Sequence, residues 1–156
     1  MARRLPRMVY LAFGELAVNP VFSRVHRWLL RRNRGRVAIR RLLGLDAILV
    51  TTKGRKTGEP RTVPLGAVRD GARWLVIASN AGHDRPPAWA MNMSADPDVS
   101  VDAGSGPTRC RAHAAIGDEA DHLWPLVISV YPGYADYQAR TERPILLFVL
   151  EPVMDA

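Results

Sequence analysis

Apolar residues recur along this chain mostly at strand spacing. Asp46–Lys53 is an apolar run of strand length and predicts a buried strand. Pro60–Arg69 and Arg73–Ser79 predict two more, joined by Asp70-Gly71, a dipeptide suited to a two-residue hairpin. All three are apolar at most positions, so cover on both faces is expected. Val99, Val101 and Ala103 alternate with Ser100 and Asp102, the pattern of a half-exposed strand. Thr108–Ile116 alternates as well, with Thr108, Cys110, Ala112, Ala114 and Ile116 on one face and Arg109, Arg111 and His113 on the other. A last apolar run, Pro144–Leu150, predicts the strand that closes the sheet. Helical signals are fewer. Pro86-Pro87 suits the first turn of a helix running to about Ala95, stopped by Asp96-Pro97. Gly117-Asp118 opens another, with an apolar face of Leu123, Leu126, Val127 and Val130, with Pro125 as a kink or near the start, and with Tyr131-Pro132-Gly133 as its stop. Six short strands with flanking helices predict an α+β fold, a small and mainly antiparallel barrel.

The N-terminal part differs in texture. Asn19-Pro20 opens a helix in which Val21, Phe22, Val25, Trp28 and Leu29 recur at helical spacing. Residues 1–41 hold eleven arginines against one acid, Glu15, whereas residues 42–156 carry a net charge of −3. The expected division is therefore an Arg-rich helical segment, 1–44, and a barrel domain, 45–156. A basic amphipathic helix of this kind lies on an anionic membrane or packs its apolar stripe on the domain, and charge alone leaves both readings open. Met8–Val18 is too short to span a bilayer; Glu15 interrupts it, and no small-residue cleavage site follows. No helix-turn-helix or zinc spacing is present, the four histidines show no ligand spacing, and aromatic interleaving is sparse, so neither nucleic acid nor metal is expected. The length of 156 residues suits one core, and the single cysteine, Cys110, reads as a core thiol of a cytoplasmic protein.

The densest chemical signal is Thr51-Thr52-Lys53-Gly54-Arg55-Lys56-Thr57-Gly58-Glu59-Pro60-Arg61. Lys53, Arg55, Lys56 and Arg61 crowd positive charge at the tip of a predicted hairpin. A phosphate or carboxylate ligand would offset the repulsion; a solvated basic turn is an equal reading on charge alone.

That segment, followed by Val63-Pro64-Leu65, Ala78-Ser79-Asn80-Ala81-Gly82, Trp89-Ala90-Met91-Asn92-Met93-Ser94-Ala95-Asp96-Pro97 and Tyr131-Pro132-Gly133-Tyr134-Ala135-Asp136-Tyr137, resembles the deazaflavin-dependent nitroreductase family over roughly residues 45–152. The resemblance implies a split β-barrel of the type that binds flavin mononucleotide. It implies coenzyme F420, an 8-hydroxy-5-deazaflavin, as cofactor, with flavin mononucleotide less favoured, and an actinobacterial type of source. Lys53, Arg55, Lys56 and Arg61 would hold the coenzyme's acidic tail, helped by backbone N–H groups at Thr57 and Gly58. Val63, Pro64 and Leu65 would lie beside the coenzyme, Ala78, Ser79 and Asn80 would border its ring, and Trp89, Ala90, Met91, Asn92 and Met93 would sit near phosphate and ring. Plain core packing is the alternative for Trp89, Met91 and Met93.

Hydride would pass to a quinone or nitroaromatic, whose developing anion needs hydroxyl donors. By the same resemblance these are Tyr134 first, with Tyr131, Tyr137 and Ser79. The chain departs from the family at Asn80, where Lys is frequent, at Ala81-Gly82, where Gly-Gly is frequent, and at Ala90, where an aromatic often follows the Trp. A coenzyme carrier without turnover and a membrane adaptor acting through residues 1–41 are the competing functions. A homodimer is an open expectation, since related split barrels often pair.

Overall fold

The computed structural model describes residues 8–9, 11–12, 15, 19–31 and 43–154. Most of the Met8–Val18 run and the arginines of residues 32–41 lie outside them. Six strands form a closed barrel in the order β1-β2-β3-β6-β5-β4, and every pairing is antiparallel. They are β1 (Asp46–Lys53), β2 (Pro60–Asp70), β3 (Arg73–Ile77), β4 (Asp98–Asp102), β5 (Pro107–Ala114) and β6 (Leu147–Pro152). The helices are α1 (Pro20–Arg31), α2 (Ala88–Ala95), α3 (Gly117–Val130) and α4 (Gly133–Gln138). The expected antiparallel barrel with flanking helices is what the chain forms.

Two buried clusters follow from strand alternation. Ile48, Val50, Ala67, Val76, Val99, Val101, Cys110, Ala112, Phe148 and Leu150 point inward from all six strands, and Trp89, Ala90 and Met93 of α2 join them. Val68, Leu75, Ile77, Leu147 and Val149 point outward and are covered by Leu123 and Val127 of α3 and by Tyr134 and Tyr137 of α4. Successive side chains of β3 and β6 therefore meet different cores, which is why both strands read as continuous apolar runs. Fully burying a side chain such as Phe148 or Leu75 is worth about 2–3 kcal/mol.

Several expectations change. β2 is not covered on both faces: Val63, Pro64 and Leu65 are only half-buried, because they border a cavity. β5 ends at Ala114, and Ile116 is 74% exposed instead of sharing the Cys110 face. There the chain leaves the strand, and Ala115 takes the buried place by donating its N–H to the Leu147 carbonyl. β6 starts three residues later than Pro144, since the Ile145 N–H is taken by the Gln138 side chain. Pro125 lies inside α3, and Leu126 is 38% exposed. Tyr131-Pro132-Gly133 ends α3 but at once starts α4, the element that carries Tyr134 and Tyr137.

α1 turns part of its apolar stripe outward. Val21, Val25 and Trp28 are 66%, 52% and 56% exposed, while the Arg27 guanidinium donates to the Thr62 carbonyl of β2 at 2.7 Å. No helix among the described residues is long and apolar enough to cross a membrane.

Candidate functional site

A cavity of about 410 Å³ opens where β2, the turn after β3, the start of α2 and the α3–α4 corner meet. Val63, Pro64, Leu65, Ser79, Asn80, Trp89, Tyr131, Tyr134 and Tyr137 all line it, so residues up to 74 positions apart in the chain converge on one cavity. Trp89 packs edge-on against Phe148, with ring centroids 6.0 Å apart, and so forms a fixed wall.

The three tyrosines form one buried cluster. Tyr131 and Tyr134 rings lie 4.8 Å apart, and the Tyr131 and Tyr137 hydroxyls share a hydrogen bond of 3.1 Å. Tyr134 is 7% exposed, and among the described residues its hydroxyl has no hydrogen-bond partner. A buried hydroxyl left unpaired costs about 1–3 kcal/mol, so a donor facing a cavity in this way suits a ligand oxygen. The Ser79 hydroxyl, on the same cavity, is also without a partner among the described residues. Burial pushes the Tyr134 phenol well above its ordinary range, and its neighbour Tyr137 adds to the effect. Burial raises Tyr137 too, against the lowering effect of the Tyr131 hydrogen bond. Both phenols thus remain protonated donors at neutral pH.

A raised folded-state pKa contributes stability that is complete below the ordinary phenol value of 10.0 and is lost as pH climbs toward the folded value. The melting temperature is expected to fall above about pH 10, and to fall less in Tyr134→Phe. Circular-dichroism melts from pH 8 to 11 check this; identical slopes in both proteins would contradict it.

The turn after β3 is built from left-handed backbone. Asn80 (φ 45°) and Ala81 (φ 54°) precede Gly82 (φ 80°). Two consecutive non-glycine residues there cost about 1–2 kcal/mol each, although Asn tolerates the region better than most. The Asn80 amide donates to the Arg85 carbonyl at 2.8 Å, so its side chain is engaged with the turn itself.

The basic tip closes tightly. The Gly54 carbonyl accepts the N–H groups of Thr57 (3.2 Å) and Gly58 (2.7 Å), and Gly58 supplies the positive φ of 73°. Those N–H groups, expected to face a ligand, are therefore spent inside the turn, and any anion is left to the side chains. Lys53 pairs with Asp96 at 3.6 Å. Arg55, Lys56 and Arg61 have no carboxylate within ion-pair distance among the described residues; Arg61 makes a 3.4 Å bond to Thr57 Oγ1. The tip is tied to α2 by Asn92, which is 5% exposed. Its Oδ1 accepts the Arg55 N–H (3.2 Å) and its Nδ2 donates to Thr52 Oγ1 (3.0 Å).

The expected coenzyme residues of α2 consequently have different surroundings. Trp89 faces the 410 Å³ cavity. Ala90 and Met91 border a second hollow of about 670 Å³, which also takes in Arg55, Ala78 and Arg143. Asn92 is engaged with the tip, and Met93 is 2% exposed inside the barrel. Lys53 and Gly58 border a third hollow, toward β4 and β5. Pro86 belongs to both larger hollows, and no side chain caps the N-terminus of α2, whose first turn reaches the cavity. Unpaired helix N–H groups of that kind attract anions.

The model of the F420H(2)-dependent quinone reductase family matches residues 22–152. The chain belongs to that family. It is 35% identical over 139 residues to the F420H(2)-dependent quinone reductase Rv1261c of Mycobacterium tuberculosis, covering 87% of this chain and 93% of that one. Among solved structures, a protein titled F420-H2 Dependent Reductase (FDR-A) is 38% identical, with a TM-score of 0.62 over 67% of this chain and 93% of that one. Another, described as a domain-swapped dimer, is 34% identical, with a TM-score of 0.63 over 79% and 97% of the two chains. The family resemblance drawn from the motifs, the barrel fold and the mycobacterial source of the curated relative stand together. The family match begins inside the Arg-rich segment and so takes in most of α1.

Arg143 escaped the sequence reading. It shares a short polar stretch with Arg140, and nothing in its neighbours signals that its guanidinium reaches back some sixty residues to the Ala78–His83 turn.

Proposed function

We propose that this family member is an oxidoreductase that uses reduced coenzyme F420 to reduce a quinone, with nitroaromatics as further acceptors. The observation that carries the reading is that buried Tyr134 and Ser79, whose hydroxyls have no partner among the described residues, line one apolar cavity, while Arg55 of the basic tip borders the hollow that shares Pro86 with it. The coenzyme's bound form would supply a hydride donor. The residues present fit such a group: apolar walls from Val63, Pro64, Leu65 and Trp89 suit a flat ring and exclude water, and Arg55, Lys56 and Arg61 suit an acidic tail. Tyr134 and Ser79 donate hydrogen bonds to the acceptor oxygen as it gains negative charge. Tyr131 and Tyr137, bonded to each other, hold the Tyr134 ring in place.

Titration of the purified protein with the deazaflavin and with flavin mononucleotide side by side tests the cofactor. Stoichiometric deazaflavin binding that weakens between about 0.05 and 0.5 M salt is expected. Preference for flavin mononucleotide would overturn it. Turnover of a menaquinone analogue separates a reductase from a carrier, which would bind and not turn over.

A second reading concerns α1. Its exposed Val21, Val25 and Trp28 stripe, beside exposed Arg24, suits an anionic membrane, where a lipid quinone resides. Val25→Asp should abolish co-sedimentation with phosphatidylglycerol vesicles and leave coenzyme binding intact. A second copy of the chain is the rival occupant, visible as a concentration-dependent dimer in sedimentation velocity.

A further inference from the structure

The Ala78–His83 turn carries one wall of the cavity in a backbone form that its own sequence disfavours, since Asn80 and Ala81 both lie at positive φ. Something outside the turn has to hold it. Backbone bonds within it, Gly82 N–H to the Ser79 carbonyl (2.9 Å) and His83 N–H to the Asn80 carbonyl (3.0 Å), close the turn but leave its outward carbonyls to be satisfied elsewhere.

One side chain meets three of the turn's carbonyls. Arg143 Nε donates to the His83 carbonyl at 2.9 Å, Nη2 to the Ser79 carbonyl at 2.8 Å, and both Nη atoms to the Ala78 carbonyl at 3.2 Å. The fork thus grips the turn at its start and its end at once, with the two left-handed residues strung between. Arg140 adds a bond of 3.3 Å to the Ala81 carbonyl between these points.

The grip is directional. A guanidinium has five N–H groups in a rigid plane and can span three carbonyls; an ammonium has three donors on one nitrogen and cannot reach both ends of the turn. No carboxylate lies within ion-pair distance of Arg143 among the described residues, and Asp84, whose charge reaches it, is held by Thr141 Oγ1 at 3.2 Å. The guanidinium is therefore committed to backbone oxygens and not to a counter-ion. Its chain position, between Gln138 at the end of α4 and the start of β6, links the turn to the helix that bears Tyr134 and Tyr137. Gln138 reinforces the link by donating to the Arg143 carbonyl at 2.9 Å.

We propose that Arg143 is a positioning residue: its fork keeps the Ala78–His83 turn left-handed, and so sets the Ser79–Asn80 wall against the tyrosines across the cavity. The functional half of this rests on the quinone-reductase reading; the conformational half does not.

The test compares Arg143→Lys and Arg143→Gln, each with and without Ala81→Gly, in the full chain. Glycine adopts the φ of 54° without a Cβ penalty, so it should lessen dependence on the clamp. Amide exchange read by mass spectrometry is expected to quicken at least tenfold in residues 78–84 of Arg143→Lys, with β1 and β6 amides unchanged. KM for a soluble quinone should rise at least fivefold in Arg143→Lys, and the rise should be smaller when both proteins carry Ala81→Gly. Three results would overturn the proposal: full recovery by lysine of what glutamine loses, which would make charge the agent; exchange that quickens evenly across the barrel, or variants that do not fold, which would make the role global; and parent-like exchange and KM in Arg143→Lys. If the parent itself binds no deazaflavin, the function reading fails, and the exchange pattern alone still decides the clamp.

Discussion

Gly82→Ala is expected to damage both stability and turnover more than any other single methyl added to this chain. A Cβ at Gly82 would lie 2.6 Å from the Tyr137 carbonyl oxygen and 2.9 Å from Arg140 Cβ. The first clash is with backbone, which cannot swing aside, so α4 would have to move away from the turn. Alanine would also have to hold a φ of 80°. Overpacking costs about 1–3 kcal/mol and a left-handed alanine about 1–2 kcal/mol. The sum is a large share of the roughly 5–15 kcal/mol that holds a domain folded. A drop of about 10 °C in melting temperature follows for a chain of this size. Because α4 carries Tyr134 and Tyr137, kcat/KM with a quinone should fall at least tenfold through misplacement alone. A variant with parental kcat/KM would show that the turn and the helix do not act together.

The second large effect is expected for Arg55→Ala combined with Arg61→Ala. Both side chains stand exposed at the tip without a carboxylate partner among the described residues, so removing them unpairs no buried group in the fold. The melting temperature should stay within about 1 °C, as expected for surface changes. Coenzyme affinity should drop about tenfold for each guanidinium removed from the acidic tail, or about a hundredfold together. The remaining affinity should respond less to salt than the parent's. Fluorescence titration at two ionic strengths measures both quantities. Unchanged affinity in the double variant would remove the tip from the binding site and leave the cavity without a tail anchor. Asn92 bears on the same contrast: its amide holds Arg55 by the backbone N–H, so side-chain truncation leaves the position of the tip intact.

The barrel was legible because alternation is local. Val99, Val101, Cys110 and Ala112 of β4 and β5 could be sorted inward from spacing alone, and Cys110 is 2% exposed in the barrel; Ala103, Thr108 and Ile116, sorted to the same faces, are exposed because they lie where the strands begin or have already ended. The continuous run of β3 announced a strand covered twice, and that of β6 a buried one. Legibility failed where an element faces a cavity instead of core or water. Val63, Pro64 and Leu65 are as apolar as their neighbours yet half-buried, because composition does not distinguish a wall waiting for a ligand from a wall met by protein. It failed again at α4, where six residues, GYADYQ, are too few to show a period.

The stripe on α1 was visible as a stripe, and its direction was not. Val21, Val25 and Trp28 sit at helical spacing, but it takes contacts such as the Arg27–Thr62 bond to show which side of the helix meets the barrel. Likewise the cations of residues 53–61 were plain to see, while the internal use of the Thr57 and Gly58 N–H groups was not.

By itself the sequence determined the strand succession, the hairpin that gathers four cations, and the motif order that marks the family, since each depends on residues close together in the chain. The tertiary structure alone decided which tyrosine hydroxyl lacks a partner among the described residues, how the α2 residues divide between two hollows, and that Arg143 bonds a turn some sixty positions away. Those outcomes depend on which surfaces remain uncovered after the barrel closes, and closure is a property of all six strands together.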